Sequence, residues 1–228
     1  MKKIVVLTGA GISAESGLKT FRDSDGLWEN YRIEDVATPS AWEKNPSLVV
    51  EFYNIRRQQA LKAKPNAAHS ALVKLEKKYD VQIITQNIDD LHERAGSKNV
   101  LHLHGEIMKC RSSKDSDLVF PTKNDGLKMG DICPKGSQLR PHVVWFGEMV
   151  PELPHAAEFT SQADILIVVG TSLVVYPAAG LLDMAPHPIR KYYIDPNAQP
   201  RNNINNLHII AEKATKGVPE LVEKLLEK

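Results

Sequence analysis

Cysteine is scarce in this sequence, and long apolar runs are lacking. Two cysteines in 228 residues are too few for the disulfide framework of a small secreted protein. The apolar run near the N-terminus spans only residues 4–7, whereas a signal peptide needs about 7–15 apolar residues and a membrane span about 20. We therefore expect a cytoplasmic protein that does not enter a membrane.

An excess of either charge is also lacking. The 29 basic and 28 acidic residues leave a formal net charge of +1, which gives no reason to expect a nucleic acid or a membrane surface as partner. Hydrophobic residues make up 42% and charged residues 25% of the chain, as in an ordinary globular protein. A chain of this length can bury a sizeable core. We expect a monomer that forms one domain, with or without a small inserted module.

Short apolar, β-branched segments recur along the chain and indicate buried parallel strands. These segments cover residues 2–8, 81–85, 100–104, 164–170, 191–195 and 207–210. Helical patterns lie between several of them and at the C-terminus, over residues 40–63, 66–79 and 217–228. Pro219 is predicted to lie near the start of the last helix. The alternation predicts an α/β fold with a mostly parallel, doubly wound sheet.

Residues 106–141 interrupt this alternation. The segment is polar, rich in Gly and Lys and without clear periodicity, and it is too long for a plain loop in a compact domain. It is predicted to be an inserted module.

The two cysteines lie in this module, where a zinc site would begin. Ser113 and Gly136 take the second position of each C-x-x-C pair that Cys110 and Cys133 would start. A structural zinc needs four ligands, and glycine has no ligating side chain. Three carboxylates could be recruited, those of Asp115, Asp117 and Asp131. We expect no zinc, and either two packed cysteines or a disulfide, which a reducing cytosol disfavours.

The stretch TGAGISAESG follows the first predicted strand directly. Gly9, Gly11 and Ala14 match a dinucleotide-binding fingerprint, and such glycines allow a tight turn close to a phosphate. A purely structural turn is the alternative.

A dehydrogenase also needs an acidic residue about 20 positions on, at a strand end. Glu34 and Asp35 have the spacing but lie in no strand pattern, so hydride transfer is disfavoured. Residues 20–31 have the composition of a flap that closes over a ligand.

Polar residues follow further strands. Gln86, Asn87 and Asp89 suit a ribose or a carboxamide. The alternative is that residues 87–89 merely cap a helix. Residues 170–172 read GTS and offer N–H and hydroxyl groups to a second phosphate or ribose, or form a simple turn.

Two histidines lie at the end of the strand predicted over residues 100–104. His102 and His104 share one side of it, and metal binding is one option for a pair at this spacing. His104, next to Gly105, suits an exposed base, although a structural histidine is the commoner case.

Five motifs in this order together resemble the sirtuins, a family of NAD-dependent protein lysine deacylases. They are GAGISAESG with FR at 21–22, TQNIDDLH, HG at 104–105, RPHVVWFGE and GTSLVVYPAA. The resemblance runs from about residue 5 to the final helix. It implies one domain with a Rossmann-like part at about 1–30, 80–105 and 142–228, a helical insertion at about 31–79 and a small module at about 106–141. That module usually carries a four-cysteine zinc site, which is degenerate here.

The resemblance implies NAD as the cofactor. The residues implied to contact it are Gly9, Ala10, Gly11, Phe21, Arg22, Gln86, Asn87, Ile88, Asp89, Gly170, Thr171, Ser172, Asp195, Asn197 and Ala214. The sequence departs from the family in two places. Residues 19–22 read KTFR where the family often has PDFR, and Asp195 stands where it usually has Asn, so that Asn197 could substitute.

The resemblance also implies the mechanism. The acyl-lysine carbonyl oxygen attacks the nicotinamide ribose, nicotinamide leaves, and an alkylimidate forms. His104, the implied general base, then activates a ribose hydroxyl. The products are lysine and 2′-O-acyl-ADP-ribose. Residues 143–148 match the strand on which a substrate peptide lies by β-augmentation, with Val144, Phe146 and Gly147 as contacts.

Tyr53 and Arg56 indicate the acyl group. They share a face of a predicted helix at i, i+3, and a hydroxyl with a guanidinium suits a buried carboxylate. The pair resembles the Tyr-x-x-Arg of desuccinylase-type sirtuins, and Ala37 would leave room for a longer chain. We expect succinyl- and malonyl-lysine to be preferred over acetyl-lysine. A solvated helix face that includes Arg56 is the alternative.

Two other functions remain open. One is mono-ADP-ribosyl transfer from the same NAD pocket to another acceptor. The other is a sensor that binds NAD or ADP-ribose without turnover, which has no need of a base at His104.

Overall fold

The computed structural model describes residues 1–19, 27–28, 31–201 and 204–227. The strands are β1 (Lys3–Thr8), β2 (Leu27–Trp28), β3 (Tyr31–Arg32), β4 (Asp80–Thr85), β5 (Val100–His102), β6 (Gly105–Ser112), β7 (Val119–Pro121), β8 (Leu139–Val143), β9 (Ile165–Val169), β10 (Arg190–Ile194) and β11 (Leu207–Ile210). The α-helices are α1 (Ala10–Ala14), α2 (Ile33–Val36), α3 (Pro39–Lys44), α4 (Pro46–Lys62), α5 (Ala67–Leu75), α6 (Leu91–Ala95), α7 (Leu153–Ser161), α8 (Leu181–Met184) and α9 (Ala214–Leu226). A short 3₁₀ helix covers Ala178–Gly180.

A six-stranded parallel sheet forms the centre of the fold. Its strand order is β11-β10-β9-β1-β4-β5, and all five neighbouring pairs are parallel. Numbered along the chain within this sheet, the order is 3-2-1-4-5-6, which is that of the doubly wound dinucleotide-binding fold. The predicted α/β class with a doubly wound parallel sheet is confirmed.

Helices cover both faces of this sheet, which explains why consecutive residues in the middle of its central strands are apolar. Alternate residues of β1 point to opposite faces. Ile4 and Val6 pack in the core on the side of α5 and α9, and Val5 and Leu7 pack on the side of α7 and α8. All four side chains are at most 1% exposed. Each such burial contributes about 1.5–3 kcal/mol.

A second unit packs beside the large sheet. It combines α2, α3 and α4 with a small antiparallel sheet of order β7-β6-β8. Phe52, Tyr53, Ile107, Val143 and Trp145 belong to its core. The helix α5, in contrast, packs with α9 on the large sheet. The helical insertion was expected to cover about residues 31–79, and α5 is therefore the part of that range that packs with the Rossmann-like part.

The small sheet begins immediately after His104. Gly105 opens β6 with φ +81°, and a Cβ added there would lie 2.2 Å from the carbonyl oxygen of His142. Glycine is required at this position because both the backbone conformation and the space exclude a side chain.

Several predicted boundaries are wrong in detail. The helix predicted over residues 40–63 is two helices, because Pro46 begins α4 and Asn45 caps it, accepting the N–H of Leu48 at 3.1 Å. The helix predicted over 66–79 ends at Leu75. Pro219 lies inside α9, since that helix begins at Ala214.

None of the helices in the described ranges combines the length and the apolar character that crossing a bilayer would take.

Candidate active site

A cavity of about 700 Å³ opens at the carboxyl ends of β1, β4, β9 and β10. This is the edge at which doubly wound sheets bind their ligands. The residues predicted from sequence that line it are Gly9, Ala10, Gly11, Ala37, Tyr53, Arg56, Gln86, Asn87, Ile88, Asp89, His104, Val144, Phe146, Gly170, Thr171, Ser172, Asp195, Asn197 and Ala214. The structure therefore brings together residues from the whole length of the chain. Gly147 is not among the lining residues, and Phe21 and Arg22, with most of the flap predicted over residues 20–31, lie outside the described residues.

The glycine loop packs directly against the loop after β9. The N–H of Gly9 donates to the carbonyl of Val169 at 3.0 Å, and that of Gly11 donates to Gly170 at 2.8 Å. A Cβ on Gly11 would lie 2.6 Å from Cα of Gly170. Gly170 itself has φ +62°, and a Cβ there would lie 2.4 Å from the amide nitrogen of Ile12. These glycines are thus needed for the contact between two loops, a reason that the fingerprint alone did not reveal.

Asn87 joins the loop after β4 to the glycine loop. Its side-chain nitrogen donates two hydrogen bonds, each of 3.1 Å, to the carbonyl oxygen of Gly9 and to Oγ of Ser13. Its backbone N–H donates to Oγ1 of Thr85 at 3.0 Å. Asn87 is buried, so these bonds fix the wall of the cavity. Ser13 lines the cavity too and was missed, because a serine inside a glycine motif carries no signal of its own.

Asp89 combines a place on the cavity wall with a local capping role. One carboxylate oxygen accepts the N–H of Leu91 at 3.2 Å, at the start of α6. Burial raises the pKa of Asp89, and the bonds from Leu91 and Ser13 oppose that rise. The alternative of a helix-capping residue thus describes part of what Asp89 does.

His104 presents one basic nitrogen to the cavity. Its Nδ1 lies 3.0 Å from the carbonyl oxygen of Gln86. A carbonyl only accepts, so Nδ1 carries the hydrogen and Nε2 keeps its lone pair. Burial lowers the pKa of His104, with partial opposition from the bond to Gln86. A neutral imidazole in a cleft suits a general base. Gln86 is itself held by a bond from its side-chain nitrogen to Oγ1 of Thr171 at 3.2 Å.

Tyr53 and Arg56 enter the cavity from α4, next to Ala37. Tyr53 is 3% exposed. Burial raises its pKa, while the nearby Trp145 and the charges of Arg140 and Arg56 oppose the rise, so the phenol keeps its proton. The arrangement offers a hydroxyl and a guanidinium in one apolar-walled end of the cavity.

An ion pair lies behind this wall. The guanidinium of Arg140 lies 3.2 Å from the centroid of the Trp145 ring, and its Nη1 lies 2.7 Å from Oε1 of Glu148. Glu148 also accepts the backbone N–H of Trp145 at 2.8 Å. This cation–π contact and the partly buried ion pair hold the indole of Trp145, which belongs to the same core as Tyr53.

The strand predicted over residues 143–148 ends at Val143, which is a correction. Val144 donates its N–H to the carbonyl of His104 at 2.9 Å, and Phe146 donates to Ala37 at 3.0 Å. Gly147 then turns the chain with φ +89°. The strand β8 therefore ends at Val143, and residues 144–148 form a loop whose N–H groups bond within the chain.

At the opposite end of the cavity, Asp195 is tied into its own turn. The N–H of Asn197 donates to Oδ1 of Asp195 at 2.8 Å. Asn197 and Ala214 line the wall beside Lys213. Sequence reasoning missed Lys213, because a lysine before a helix carries no signal of its own, and only the fold places this exposed residue at the rim of the cavity.

Zinc does not fit the donor set of the small module. Sγ of Cys110 lies 3.6 Å from the carbonyl oxygen of Phe120, and Sγ of Cys133 lies 3.1 Å from Oγ of Ser137. Both cysteines are free and buried. Within the part of the chain that the structure describes, no three His, Cys, Asp or Glu side chains gather to hold a metal, whereas a structural zinc needs four ligands.

Comparisons with known proteins agree with this geometry. The Sir2 family model matches residues 9–177. A Helicobacter pylori protein named NAD-dependent protein deacylase is 54% identical over 227 residues, which cover 100% of this chain and 99% of that relative. A solved Sir2 homolog–NAD complex has a TM-score of 0.88 at 42% identity, and covers 99% of this chain and 90% of its own. A mutant Sir2 homologue in complex with 2′-O-acetyl ADP-ribose has a TM-score of 0.87 at 42% identity, with 99% and 92% covered. The chain belongs to the Sir2 family.

Proposed function

We propose that this protein is an NAD-dependent protein lysine deacylase. It transfers the acyl group of a protein lysine to ADP-ribose and yields lysine, nicotinamide and 2′-O-acyl-ADP-ribose. The observation that carries the proposal is one cavity in which a neutral His104 faces two glycine-dependent loops at the strand ends. A relative that covers the whole chain bears the same activity in its name.

The cavity offers suitable partners for each part of NAD, which supplies the ribose carbon that the acyl oxygen attacks. Gly9, Ala10 and Gly11 provide backbone close to the pyrophosphate, as do the residues at 170–172. Gln86, Asn87, Ile88 and Asp89 suit the nicotinamide ribose and the carboxamide. Asp195, Asn197 and Ala214 lie on the wall proposed for the adenosine. The charge of Lys213 on the same wall favours a phosphate.

His104 is proposed as the general base. Its Nδ1–H is occupied by Gln86, which leaves Nε2 to accept a proton from a ribose hydroxyl. The lowered pKa keeps the imidazole neutral at neutral pH, and so the base is present in its active form.

We further propose a preference for succinyl and malonyl groups over acetyl. The guanidinium of Arg56 and the phenol of Tyr53 supply a charge and a hydrogen-bond donor for the acyl carboxylate, and Ala37 leaves space. The peptide on either side of the lysine is proposed to lie along the loop that holds Val144, Phe146 and Gly147.

The setting proposed is the cytosol, with acylated proteins as partners and with neither nucleic acid nor membrane bound. The near-zero net charge and the two unpaired cysteines support this setting. A monomer is proposed, because the core is closed within one chain.

The decisive experiment incubates the protein with NAD and a panel of acetyl, malonyl and succinyl peptides. Mass spectrometry should detect the free-lysine peptide together with acyl-ADP-ribose. Label from NAD found on protein would indicate mono-ADP-ribosyl transfer instead. His104→Ala should abolish turnover and keep NAD binding. A wild-type protein that binds NAD without turning over any peptide would be a sensor and would contradict the proposal.

A further inference from the structure

His102 and His104 lie at and just beyond the end of β5, and each holds a carbonyl of the segment that follows β4. Nδ1 of His104 lies 3.0 Å from the oxygen of Gln86, and Nδ1 of His102 lies 3.0 Å from the oxygen of Asn87. Leu103, between them, donates its N–H to the carbonyl of Thr85, the last residue of β4, at 2.9 Å. Three consecutive residues thus hold three consecutive carbonyls, two of which belong to the cavity-lining residues Gln86 and Asn87.

His102 differs from His104 in what its second ring nitrogen meets. Nε2 of His102 lies 2.7 Å from Oε1 of Glu93, on α6. A backbone carbonyl and an ionised carboxylate only accept hydrogen bonds, so both ring nitrogens of His102 carry hydrogen. A histidine with hydrogen on both nitrogens is an imidazolium. The geometry therefore gives His102 a positive charge wherever Glu93 is ionised.

The groups around His102 favour the same state. Burial alone lowers the pKa of His102, but the hydrogen bond and charge of Glu93, a backbone carbonyl and the charge of Glu106 outweigh it and raise the pKa. Burial raises the pKa of Glu93, yet the contact with His102 brings it below its ordinary value. The charges of Asp89 and His102 attract each other, which also favours the imidazolium. Burial lowers the pKa of His92, which therefore stays neutral and adds no repulsion.

We propose that His102 is a positioning residue of the active site, which as an imidazolium held by Glu93 fixes the carbonyl of Asn87. Asn87 carries this constraint to Gly9 and Ser13 through its side chain. His102 thereby fixes the position of the cavity wall next to His104. The inference rests on the proposed function, because it concerns the same cavity.

The positive charge is essential to this role while Glu93 is a carboxylate. A neutral His102 has one ring hydrogen, and the carboxylate draws that hydrogen to Nε2. Nδ1 then turns a lone pair to the carbonyl of Asn87, and the bond is lost. A glutamine at position 93 removes the constraint, because its amide donates to Nε2 and leaves the hydrogen of a neutral imidazole on Nδ1.

Two substitutions of His102 test the hydrogen bond. Asparagine places its amide nitrogen near the position of Nδ1, whereas glutamine reaches towards the position of Nε2. We expect His102→Gln to lower kcat by about tenfold to a hundredfold, because the residues that orient the reacting groups are then displaced. The KM for the acyl peptide should be unchanged. His102→Asn should recover most of that kcat. Equal losses in both variants, or wild-type kcat in His102→Gln, would contradict the proposal.

Glu93→Gln tests the charge. Nitrogen-15 NMR of the wild type at neutral pH should show one histidine with both ring nitrogens protonated, and this signal should be missing in His102→Asn. In Glu93→Gln the same ring should be neutral with hydrogen on Nδ1. The wild type should lose kcat at alkaline pH as His102 deprotonates, and Glu93→Gln should lack this loss. A wild-type His102 that is neutral at pH 7 would overturn the inference.

Failure of the proposed deacylase activity can be distinguished from failure of the positioning role of His102. If no acyl peptide turns over, that proposal fails, and the NMR signal still reports the state of His102. The positioning role is then measured by calorimetry with NAD, as weaker affinity in His102→Gln and retained affinity in His102→Asn. Equal affinity in both variants would overturn it.

Discussion

The amide nitrogen of Gly11 lies 2.8 Å from the carbonyl oxygen of Gly170. The two residues belong to different strand-to-helix loops, and neither tolerates a Cβ at this contact. The loops that follow β1 and β9 therefore form one rigid wall of the cavity, and a substitution at either glycine should affect both.

Gly11→Ala should destabilise the fold and weaken NAD binding together. Its Cβ would lie 2.6 Å from backbone of Gly170, and overpacking of this kind costs about 1–3 kcal/mol of unfolding free energy. Chemical denaturation and calorimetry with NAD measure the two effects. Gly180→Ala is the matched control, since Gly180 has φ −70° and a Cβ added there would lie 3.9 Å from the Tyr176 ring, an ordinary contact distance. The expectation is contradicted if both variants behave alike.

The acid limb of the pH profile should lie below the ordinary pKa of histidine, about 6.5. Burial lowers the pKa of His104, so the neutral base persists as the pH falls through 6.5 and is lost only below it. The dependence of kcat/KM on pH reports this group in the free enzyme. An acid limb above 6.5 would show that His104 is not the base or that its site is not buried.

Arg56→Met should remove the preference for succinyl-lysine. The variant lacks the guanidinium proposed to hold the acyl carboxylate, and a hydrogen bond to a charged group contributes about 1.5–3 kcal/mol. We expect kcat/KM on a succinyl peptide to fall by about tenfold to a hundredfold, with little change on an acetyl peptide.

The control for this variant is Lys62→Met, which removes one exposed positive charge from the same helix. It should leave both rates unchanged. A retained succinyl preference in Arg56→Met would assign Arg56 to the solvated helix face instead.

Stability should fall at mildly acidic pH because of His69. Burial lowers the pKa of His69 to about 4 from its ordinary 6.5. Between these values the unfolded chain binds a proton that the folded protein excludes, so the free energy of unfolding decreases as the pH falls, by up to about 1.4 kcal/mol per pH unit. His69→Gln should reduce this slope in denaturation experiments at pH 4.5–6.5. His155→Gln, whose side chain is 66% exposed, should keep it. Parallel slopes in all three proteins would rule out the assignment.

A chelator should leave the melting temperature unchanged. The thiols of Cys110 and Cys133 are directed at a carbonyl and a hydroxyl, so the small module is expected to be held by packing. Metal analysis of protein purified without added metal should find zinc far below one equivalent. Near-stoichiometric zinc, or a marked fall in melting temperature with chelator, would overturn this expectation.

The order of the elements followed from the sequence by itself. The middle of β1, residues 4–7, and the whole of β9 are apolar, and such runs are stable only when both faces of a sheet are covered. Helical periodicity between them leaves few topologies, since crossovers between parallel strands are right-handed. The ordered motifs then pointed to the ends of β1, β4 and β9, because parallel strands expose their carboxyl ends at one edge.

Element ends and side-chain partners were decided by the tertiary structure. Sequence did not show that Val144 and Phe146 leave the ladder of β8, because their N–H groups are taken by His104 and Ala37. Nor did it show that His102 faces two acceptors, since one of them, Glu93, comes from a neighbouring helix. Local pattern encodes which face of an element is buried. Contacts between residues far apart depend on strand register and on how the layers pack, and these exist only once the chain has folded.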